Sequence, residues 1–521
     1  MIRLRGLWIK VGQFLSSRAD IMPMPYIRKL SSLQDAVPSH PWADIDTTLQ
    51  EELGPDWEDG FRSVDRTPLS SASIAQVHRA VLKGGQEVVL KVQHRGVDQQ
   101  MKSDLDNLTT LCRVIAWLEP DYDFRQIVDE WKPAVRQELD MRLEAEALKE
   151  VAVNMKSGDV KAIVPAPIPE YVSARVIVME FCHGFSVRDL ESMDKYGVNR
   201  NILMDRVCQA WAVQMHVDGF FNADPHPGNI LVSTNETQNG GDASVPVLLD
   251  FGLTKRFNPH MRLAFSRMMH ACHSMDVDEL VCAFKDMGLK LAVNDPFEDL
   301  EVMRKVFQAV PREKAQELKS QYRKAHEAKM QSHPNPKKPV ESWPSELVFF
   351  FRVTGLLRGL ASSFDIEYPY LETMATAALQ TLRRSIPKDQ HAKSVIYSAP
   401  PEKGESWPNT KLQGRLEAAI TRINGVMPIA GLQVAVYQRG ELVASVAAGT
   451  LGAADPRPIR PDTLFNVFSV TKGVASAAVL LLVQQGTIDL DERVAAYWPA
   501  FGAEGKGECT VRQLLNHQAG L

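Results

Sequence analysis

The sequence predicts a chain of several domains whose first and larger part belongs to the α+β class. Three observations support this prediction. The 521 residues exceed the roughly 150 residues of a typical domain several times over. The composition, with 45% hydrophobic and 24% charged residues, is ordinary for a globular protein. Strand patterns and helical patterns also occur in separate blocks along the chain, as they do in α+β domains.

The first blocks alternate in type. Residues 1–60 show helical patterns, and residues 61–100 are predicted to form strands. There, SIAQVHRAVL and EVVLKVQH are rich in β-branched residues and are separated by KGGQ, which is a hairpin signal. Residues 101–155 return to helical periodicity, and ARVIVMEF at residues 174–181 is predicted to be a strand.

Later blocks are mainly helical. Residues 200–220 predict an amphipathic helix, and NILV and PVLLDFG then predict two short strands around a polar loop. Residues 259–385 are predicted to be mostly helical. Within them, ELVFFFRVTGLLRGLASSF is interrupted by Arg352 and Arg358, so we predict a buried helix and no membrane span.

Charge and cysteine content argue against several functions. A net charge of −5 provides no basic footprint, so we expect no nucleic-acid partner. The six cysteines include no C-x-x-C pair, so we expect neither a zinc site nor a redox pair. No signal-peptide pattern is present. However, Met1 lies inside an amphipathic pattern and Leu521 directly follows a motif, so we expect the natural protein to extend beyond both ends.

Lys91 lies in the middle of a predicted strand, with apolar neighbours in VVLKVQH. Burying a lysine there costs free energy unless an acid pairs with it; a lysine on a solvated strand face is the alternative. The segment QELDMRLEAEAL supplies acids at Glu138, Asp140 and Glu144, with a solvated helix face as the alternative.

Asp224 and Asn229 have the spacing D-x-x-x-x-N, which is typical of catalytic loops with an orienting aspartate and a metal-binding asparagine. LLDFG then puts Asp250 at the end of an apolar strand. Phosphoryl transfer needs a cation on the phosphates, oxygen ligands for a metal and a group that positions the nucleophile. The order of these motifs therefore predicts a phosphoryl-transfer site and not only a tight turn. His226, in the same segment, is interpreted as structural, with a metal ligand as the alternative.

Seven segments carry a family resemblance that covers about residues 1–385. In order along the chain they are KVGQFLSSRADIMP, PLSSASIAQVHRA, VVLKVQHRG, ELDMRLEAEA, VMEF, DGFFNADPHPGNILV and LLDFG. This set closely resembles the UbiB (aarF-domain-containing) family of atypical, protein-kinase-like proteins. The resemblance implies a two-lobed protein-kinase-like fold with a helical extension at 1–60, an N-lobe at about 61–181 and a C-lobe at about 182–385.

The resemblance also implies roles for individual residues. ATP or ADP would bind with Mg²⁺ or Mn²⁺. Lys91 would hold the α- and β-phosphates, with Glu144 as its helix partner. Asp224 would be the catalytic-loop aspartate. The remaining expected contacts are the metal ligands Asn229 and Asp250, and the hinge residues Met179 and Glu180 beside the adenine.

The segment SSASIAQVH resembles the family's Ala-rich loop, which stands in place of a Gly-rich loop. Ala72, Ser73 and Ala75 would contact the nucleotide. Their Cβ atoms would make the loop stiffer than glycines would. Ser70 and Ser71 stand where alanine is frequent in the family.

Lys10, Gly12 and Gln13 match the family's K-x-G-Q signature, and Glu138 and Asp140 match its E-x-D signature. The resemblance implies that this N-terminal segment covers the site, where a protein kinase would bind its peptide. We therefore expect an ATPase or a small-molecule or lipid kinase, and the resemblance implies a role in prenyl-lipid (ubiquinone-type) metabolism. Expected partners are lipids or membrane-associated biosynthetic proteins, in a mitochondrion or plastid if the source is eukaryotic. A regulatory pseudokinase is the alternative.

A second pattern follows a predicted linker at 386–410. Ser469 and Lys472 form S-x-x-K, which puts both side chains on one helix face, where a lysine can keep a serine poised as a nucleophile. A hairpin in AGLQVAVYQRGELVASVAAG precedes this pattern, and GTIDLDERVAAYWP and TVRQLLNHQAGL follow it.

Residues 411–521 thereby resemble the serine β-lactamase-like family, especially its class C-type esterases. The resemblance implies an acylated Ser469 and an activating Lys472. The family's Tyr-x-Asn and Lys/His-x-Gly elements do not occur in this part, so we expect a truncated α/β domain, catalytically incomplete and poorly folded. In a longer protein it would be a serine hydrolase.

Overall fold

The computed structural model divides into two compact units, each of which is described by itself. Unit 1 comprises Met1–His391 and Ala453–Pro456, and unit 2 comprises Ala392–Gly452 and Arg457–Leu521. The structure describes residues 7–8, 29, 39–118, 137–234, 244–289, 300, 303–311, 314, 345–386, 396–397, 406–426, 429–452, 454–503 and 505–520. Elements are numbered over these residues. Within them, no helix combines the length and the apolar character that a bilayer crossing requires.

Unit 1 begins with a helix and a six-stranded sheet that form the N-lobe. The order in the sheet is β1-β3-β4-β6-β5, with β2 paired to the side of β3. The β3–β4 hairpin turns at Gly85, whose φ of +87° glycine adopts without strain, which confirms the KGGQ hairpin. The elements are α1 Trp42–Leu53, β1 Phe61–Val64, β2 Ser70–Ser71, β3 Ala75–Leu82, β4 Glu87–Gln93, α2 Val97–Leu118, α3 Met141–Ser157, β5 Pro167–Val172 and β6 Val176–Glu180.

The two faces of strand β4 pack against different helices. Val88, Leu90 and Val92 are fully buried with Ile45 and Leu49 of α1. Successive side chains of a strand point to opposite faces, so Lys91 belongs to the other face. That face packs on α3, whose Ala145, Leu148 and Val151 lie in the main core cluster. The alternation in EVVLKVQ therefore turns the lysine toward the acidic helix.

The rest of unit 1 is a mostly helical C-lobe with short antiparallel strand pairs. β10-β9-β7 form a three-stranded sheet, and β11 pairs with β8. Helix α5 continues into a π-helical turn, Val213–Asp218, that ends at Gly219 with a φ of +69°. The elements are β7 Gly184–Ser186, α4 Leu190–Lys195, α5 Arg200–Ala212, β8 Phe220–Asn222, β9 Ile230–Ser233, β10 Pro246–Leu248, β11 Thr254–Arg256, α6 Pro259–Ser274, α7 Val277–Asp286, α8 Ser345–Ser363 and α9 Tyr370–Ser385.

Unit 2 contains a three-stranded antiparallel sheet in the order β12-β14-β13, with α10 packed on β14. The turn at Arg439 and Gly440 has φ values of +55° and +87°, as a type I′ hairpin turn requires; this confirms the predicted hairpin. The elements are β12 Ile396–Tyr397, α10 Thr410–Val426, β13 Gly431–Gln438, β14 Glu441–Gly449, α11 Thr471–Gln484, α12 Val494–Tyr497 and α13 Val511–Leu515.

Unit 2 contains a short strand within the predicted linker and a helix without a buried residue in its described part. Ile396–Tyr397 lie within the predicted linker but form a strand that pairs with Ala447 and Ala448, because two backbone positions suffice to extend a sheet edge. Helix α11 has no buried residue among those described, and Leu464, before it, is 95% exposed. Apolar surface of this extent is unusual on a monomeric globular domain.

Candidate functional site

Lys91 is the centre of an ion-pair cluster in unit 1. Its Nζ donates to Glu144 Oε1 at 2.6 Å and to Asp250 Oδ1 at 3.2 Å. Strand β4 provides the lysine and the first turn of α3 provides Glu144. The structure thus joins three residues that are up to 159 positions apart in sequence. The lysine is not on a solvated strand face, because its side chain is 11% exposed.

Burial and charge act in opposite directions in this cluster. Burial alone would lower the pKa of Lys91, but the charges of Asp250 and Glu144 outweigh it and raise that pKa. Burial would raise the pKa of Asp250, but Lys91 and the Gly252 amide hold it well below its usual range. Burial, aided by the Asp250 charge, raises the pKa of Glu144 to about 7 in spite of Lys91. The two acids around Lys91 are therefore shifted in opposite directions, with the pKa of Asp250 lowered and that of Glu144 raised.

The backbone after Asp250 fixes the direction of its carboxylate. The Gly252 amide donates to Asp250 Oδ1 at 2.9 Å, and the Phe251 amide donates to Glu144 Oε1 at 3.4 Å. Phe251 is itself 1% exposed. The D-F-G segment is therefore anchored by its buried phenylalanine and directs the aspartate toward Lys91.

Asn229 and Asp250 provide oxygen donors suited to a divalent metal. Asn229 Nδ2 lies 3.4 Å from Asp250 Oδ2, and the Leu249 amide donates to the Asn229 carbonyl at 3.0 Å. Within the described residues, no group of three or more His, Cys, Asp and Glu side chains is placed to hold a metal. A site with one carboxylate and one amide fits Mg²⁺, which typically takes few protein ligands and completes its shell with phosphate and water oxygens.

Asn222 is a residue of the site that the sequence reasoning missed. Its side-chain Nδ2 donates to the Asp250 carbonyl at 2.6 Å, and its Oδ1 accepts from the Asp224 amide at 2.7 Å. The indole of Trp211 donates to the Asn222 carbonyl at 2.9 Å. One buried amide thus joins the loop that carries Asp224 to the D-F-G segment. In the sequence, the sign of this role is that Asn222 lies two residues before Asp224, where its side chain can accept from the Asp224 amide.

Asp224 contacts a second residue that the sequence reasoning did not assign to the site. Arg352 Nη2 of helix α8 donates to Asp224 Oδ1 at 3.0 Å. In the sequence, Arg352 interrupts an otherwise apolar helical segment. A half-buried arginine in such a stretch was a signal for a partner of opposite charge.

The loop at Ala72–Ala75 is tied to the strand that carries Lys91. The Ala72 amide donates to the Ala75 carbonyl at 2.7 Å, and the His94 amide donates to the Ile74 carbonyl at 2.8 Å. His94 Nε2 lies 3.2 Å from the Ala72 carbonyl oxygen. Ser73 lies between these contacts, and Ala75 is 1% exposed. These hydrogen bonds hold the loop in one conformation.

Met179 and Glu180 end strand β6, where the chain leaves the sheet toward the C-lobe. Met179 is 5% exposed and pairs with Val89 of β4. The Glu180 carboxylate accepts from the Ala166 amide at 3.1 Å. The structure thus puts both residues at the junction between the lobes.

The E-x-D acids have different surroundings. Asp140 caps helix α3 by accepting from the Arg142 amide at 3.1 Å, and the Arg142 guanidinium binds both carboxylate oxygens at 2.9 and 2.7 Å. The cap fixes the start of the helix that carries Glu144. Glu138 is half-buried. Lys10, Gly12 and Gln13 lie outside the described residues.

His226 has a structural role in the loop between Asp224 and Asn229. Its Nδ1 accepts from the Gly228 amide at 3.2 Å, which caps the short helical turn Pro227–Asn229. Arg188 Nη2 lies 3.2 Å from each ring nitrogen. A cation beside the ring disfavours a metal ion there, which supports the structural interpretation.

Unit 2 holds the S-x-x-K pair. Lys472 Nζ donates to Ser469 Oγ at 2.9 Å. Ser469 lies in the helical turn Phe468–Val470 directly before α11. Phe468 has a φ of +42°, which is uncommon for a residue other than glycine, so the backbone bends sharply at the serine.

Comparisons with known proteins match the two parts of the chain to two families. Residues 32–283 match the model of the ABC1 atypical kinase-like domain, and residues 417–521 match that of the beta-lactamase family. The Arabidopsis thaliana protein ACTIVITY OF BC1 COMPLEX KINASE 8, chloroplastic, is 30% identical over 417 residues, which cover 74% of this chain and 53% of that protein. AarF domain-containing protein kinase 1 from Gallus gallus is 34% identical over 273 residues, which cover 52% of each chain.

This chain therefore spans about half the length of these curated relatives. A solved structure of the Rv3197–erythromycin complex from Mycobacterium tuberculosis has a TM-score of 0.49 and 22% identity, and the match covers 70% of this chain and 90% of that chain. A likeness of this size supports no argument about ligands. From the family matches and the relatives, the chain carries an ABC1 atypical kinase-like domain of the UbiB (AarF) type at residues 32–283, followed by a beta-lactamase domain at residues 417–521.

Proposed function

We propose that unit 1 binds ATP or ADP with Mg²⁺ (or Mn²⁺) and acts as an ATPase or as a kinase of a small molecule or lipid. The observation that supports this best is the buried Lys91 between Glu144 and Asp250, at 2.6 and 3.2 Å. A lysine in this arrangement presents a fixed cation to phosphate oxygens, and the acids keep it charged. Buried ion pairs contribute little to stability on average, so a purely structural role explains the cluster less well.

The chemistry of the proposed reaction is positioning and charge stabilisation. Lys91 binds the α- and β-phosphates, Asp250 and Asn229 hold the metal, and Asp224 orients the attacking hydroxyl or water. When bound, Mg²⁺ neutralises negative charge on the phosphates. Met179 and Glu180 at the junction of the lobes bind the adenine, and the Ala72–Ala75 loop covers the phosphates.

For the acceptor we propose a prenyl-lipid precursor or another small molecule, in ubiquinone-type metabolism. The support is the K-x-G-Q segment with Lys10, which as a cover over the site would leave no room for a peptide. Lipids and membrane-associated biosynthetic proteins are the proposed partners. The chloroplastic relative favours an organelle as the location.

The first test measures nucleotide affinity and phosphate release from Mg²⁺–ATP by the whole chain. Lys91→Ala should weaken ATP binding at least tenfold, since it removes the phosphate cation. Asp250→Asn should abolish phosphate release, since it weakens the metal site. Lys83→Ala, at an exposed lysine of the β3–β4 turn, is the matched control and should match wild type.

Equal release by wild type and both variants would contradict the catalytic proposal. If wild type binds nucleotide as proposed but releases no more phosphate than Asp250→Asn, the regulatory pseudokinase is favoured instead.

A second function, serine hydrolysis by unit 2 in a longer protein, is favoured by the 2.9 Å contact between Lys472 Nζ and Ser469 Oγ. A fluorophosphonate probe on the full-length protein tests it. Labelling should disappear in Ser469→Ala and persist in Ser476→Ala, which changes a serine in the helix α11 that follows. Labelling that survives Ser469→Ala would rule out this serine as the nucleophile.

A further inference from the structure

Helix α8 contributes a cation to the proposed catalytic aspartate. Arg352 Nη2 donates to Asp224 Oδ1 at 3.0 Å, and the two side chains are 16% and 32% exposed. Arg352 lies outside residues 32–283, which match the kinase-like family model. The contact therefore comes from a part of unit 1 that the family match does not cover.

The position of Arg352 is fixed by the packing of its helix. Phe350 is fully buried and stacks on Phe265 of α6 with ring centroids 4.7 Å apart. Val353 and Leu357 are also fully buried. A side chain on such a rigid element holds its partner more firmly than one on a loop.

Stability does not explain an arginine at this position. The Nε atom of Arg352 is buried without a hydrogen-bond partner among the described residues, and a buried donor without an acceptor destabilises a fold. A buried donor without an acceptor in a native protein calls for an explanation, and a role in a functional site is one.

Asp224 needs such a partner because an aspartate carboxylate rotates with little preference about its last torsion angle. Asn222 holds the Asp224 amide at 2.7 Å but does not set the plane of the carboxylate. A guanidinium donor on one oxygen sets that plane. A carboxylate has two oxygens, so a contact to Oδ1 leaves Oδ2 for the nucleophile.

We propose that Arg352 is a positioning residue, which fixes the Asp224 carboxylate so that Oδ2 orients the hydroxyl or water that attacks the phosphoryl group. This inference rests on the proposed function of unit 1. It predicts an effect on turnover and none on nucleotide affinity, because Arg352 touches the orienting group and not the phosphate or metal ligands.

The experiment compares Arg352→Met, Arg352→Lys and wild type for the ATP dissociation constant, single-turnover phosphate release with Mg²⁺–ATP, and thermal midpoint. Arg352→Met should lower turnover by about 10- to 100-fold, as a displaced catalytic group does, with ATP affinity within about twofold. Arg352→Lys should recover part of this loss. Asp224→Asn with Arg352→Met should be no slower than Asp224→Asn alone, because the arginine acts through the aspartate.

Arg358→Met is the matched control, because Arg358 lies on the same helix but donates to the Gln308 carbonyl. It should lower the thermal midpoint and leave turnover per folded molecule unchanged. Wild-type turnover that persists or increases in Arg352→Met would overturn the inference and leave the proposed function intact; an increase would identify an inhibitory contact. Additive losses in the double variant would also overturn it. A wild type that binds no nucleotide would instead overturn the proposed function, and this inference with it.

Discussion

At the scale of single residues, the charge of Glu144 is set by two opposing effects, burial and the neighbouring Lys91. Glu144 is 6% exposed, and burial raises its pKa to about 7 although Lys91 is 2.6 Å away. Asp250 forms an ion pair with the same lysine, which lowers the pKa of Asp250. The cluster therefore contains one carboxylate with a lowered pKa, Asp250, and one with a raised pKa, Glu144.

This gives a prediction about stability and pH. A glutamate whose pKa is raised in the folded state stabilises the fold most below its unfolded pKa of about 4.5 and loses that contribution as pH rises through about 7. The advantage of wild type over Glu144→Gln should therefore fall between these pH values, by at most about 1.4 kcal/mol per pH unit, and stay constant above. Urea midpoints of unit 1 across this range measure it.

Glu146→Gln is the control, because Glu146 is exposed on the same helix and should track wild type at each pH. A constant difference between wild type and Glu144→Gln would show that Glu144 titrates at its ordinary value.

The sequence allowed prediction of those site residues that lie in linear motifs. Lys91, Asp224, Asn229 and Asp250 each stand in a spaced pattern of few residue types, and the structure brings Lys91 and Asn229 to Asp250. Arg352 was not predictable as a partner of Asp224, because its contact spans 128 positions. Such a contact depends on the packing of a helix, which no local pattern records.

At the scale of elements, the π-helical turn Val213–Asp218 carries a fully buried histidine. His216 lies in it, fully buried, with Nδ1 3.1 Å from Ser266 Oγ and its carbonyl accepting from Thr381 at 2.8 Å. Its ring meets the edge of Phe350 at 6.3 Å. Helices α6 and α8 therefore contact the ring of His216, and α9 contacts its backbone.

Burial lowers the pKa of His216 to about 3, which gives a prediction of the opposite sign. A histidine whose pKa is depressed by folding stabilises the fold above its unfolded pKa of about 6.5, and that contribution is lost as pH falls toward 3. The stability of wild type should fall from pH 6.5 downward by up to about 1.4 kcal/mol per pH unit more than that of His216→Leu.

Urea midpoints of the two proteins between pH 7 and 5 measure this difference. His260→Leu, at an exposed histidine of α6, is the control and should keep the wild-type slope. Parallel curves for wild type and His216→Leu would contradict the prediction.

Elements with strong turn signals were the easiest to predict. The KGGQ and Arg439–Gly440 hairpins follow from glycines at positive φ. Three-residue strands such as β7, β8 and β11 were missed, because so short a segment carries no period that separates it from a loop. The helix Thr410–Val426 was also missed; it begins where the predicted linker ends, at residue 410.

At the scale of the whole molecule, the chain consists of two units with separate cores. The main cluster of unit 1 includes Leu148, Trp211 and Phe350, whereas Ile420, Val446 and Ala448 form a small cluster in unit 2. The proposed nucleotide site lies in unit 1 and the S-x-x-K pair in unit 2. The two sites thus depend on different sets of apolar contacts.

Calorimetry of the chain should therefore show two unfolding transitions. Mg²⁺–ATP at about 100 times its dissociation constant should stabilise the unit 1 transition by about 2.7 kcal/mol and leave the other in place, because a ligand stabilises only the unit that binds it. The shift should vanish in Lys91→Ala. One merged transition, or an equal shift of both, would show that the units unfold together.

Asn222 has a consequence for motion in the site. Its amide joins the Asp224 backbone to the Asp250 backbone, and the Leu249 amide joins Asn229 to the same segment, so these groups form one stiff platform. Lys91 and Glu144 approach this platform from the other lobe, through the 3.2 Å ion pair to Asp250. If the lobes open to release a nucleotide, the proposed metal ligands and the orienting aspartate keep their spacing while the lysine withdraws. Opening would then require this ion pair to separate, and because Lys91 is buried, added salt should change the rate of opening only slightly.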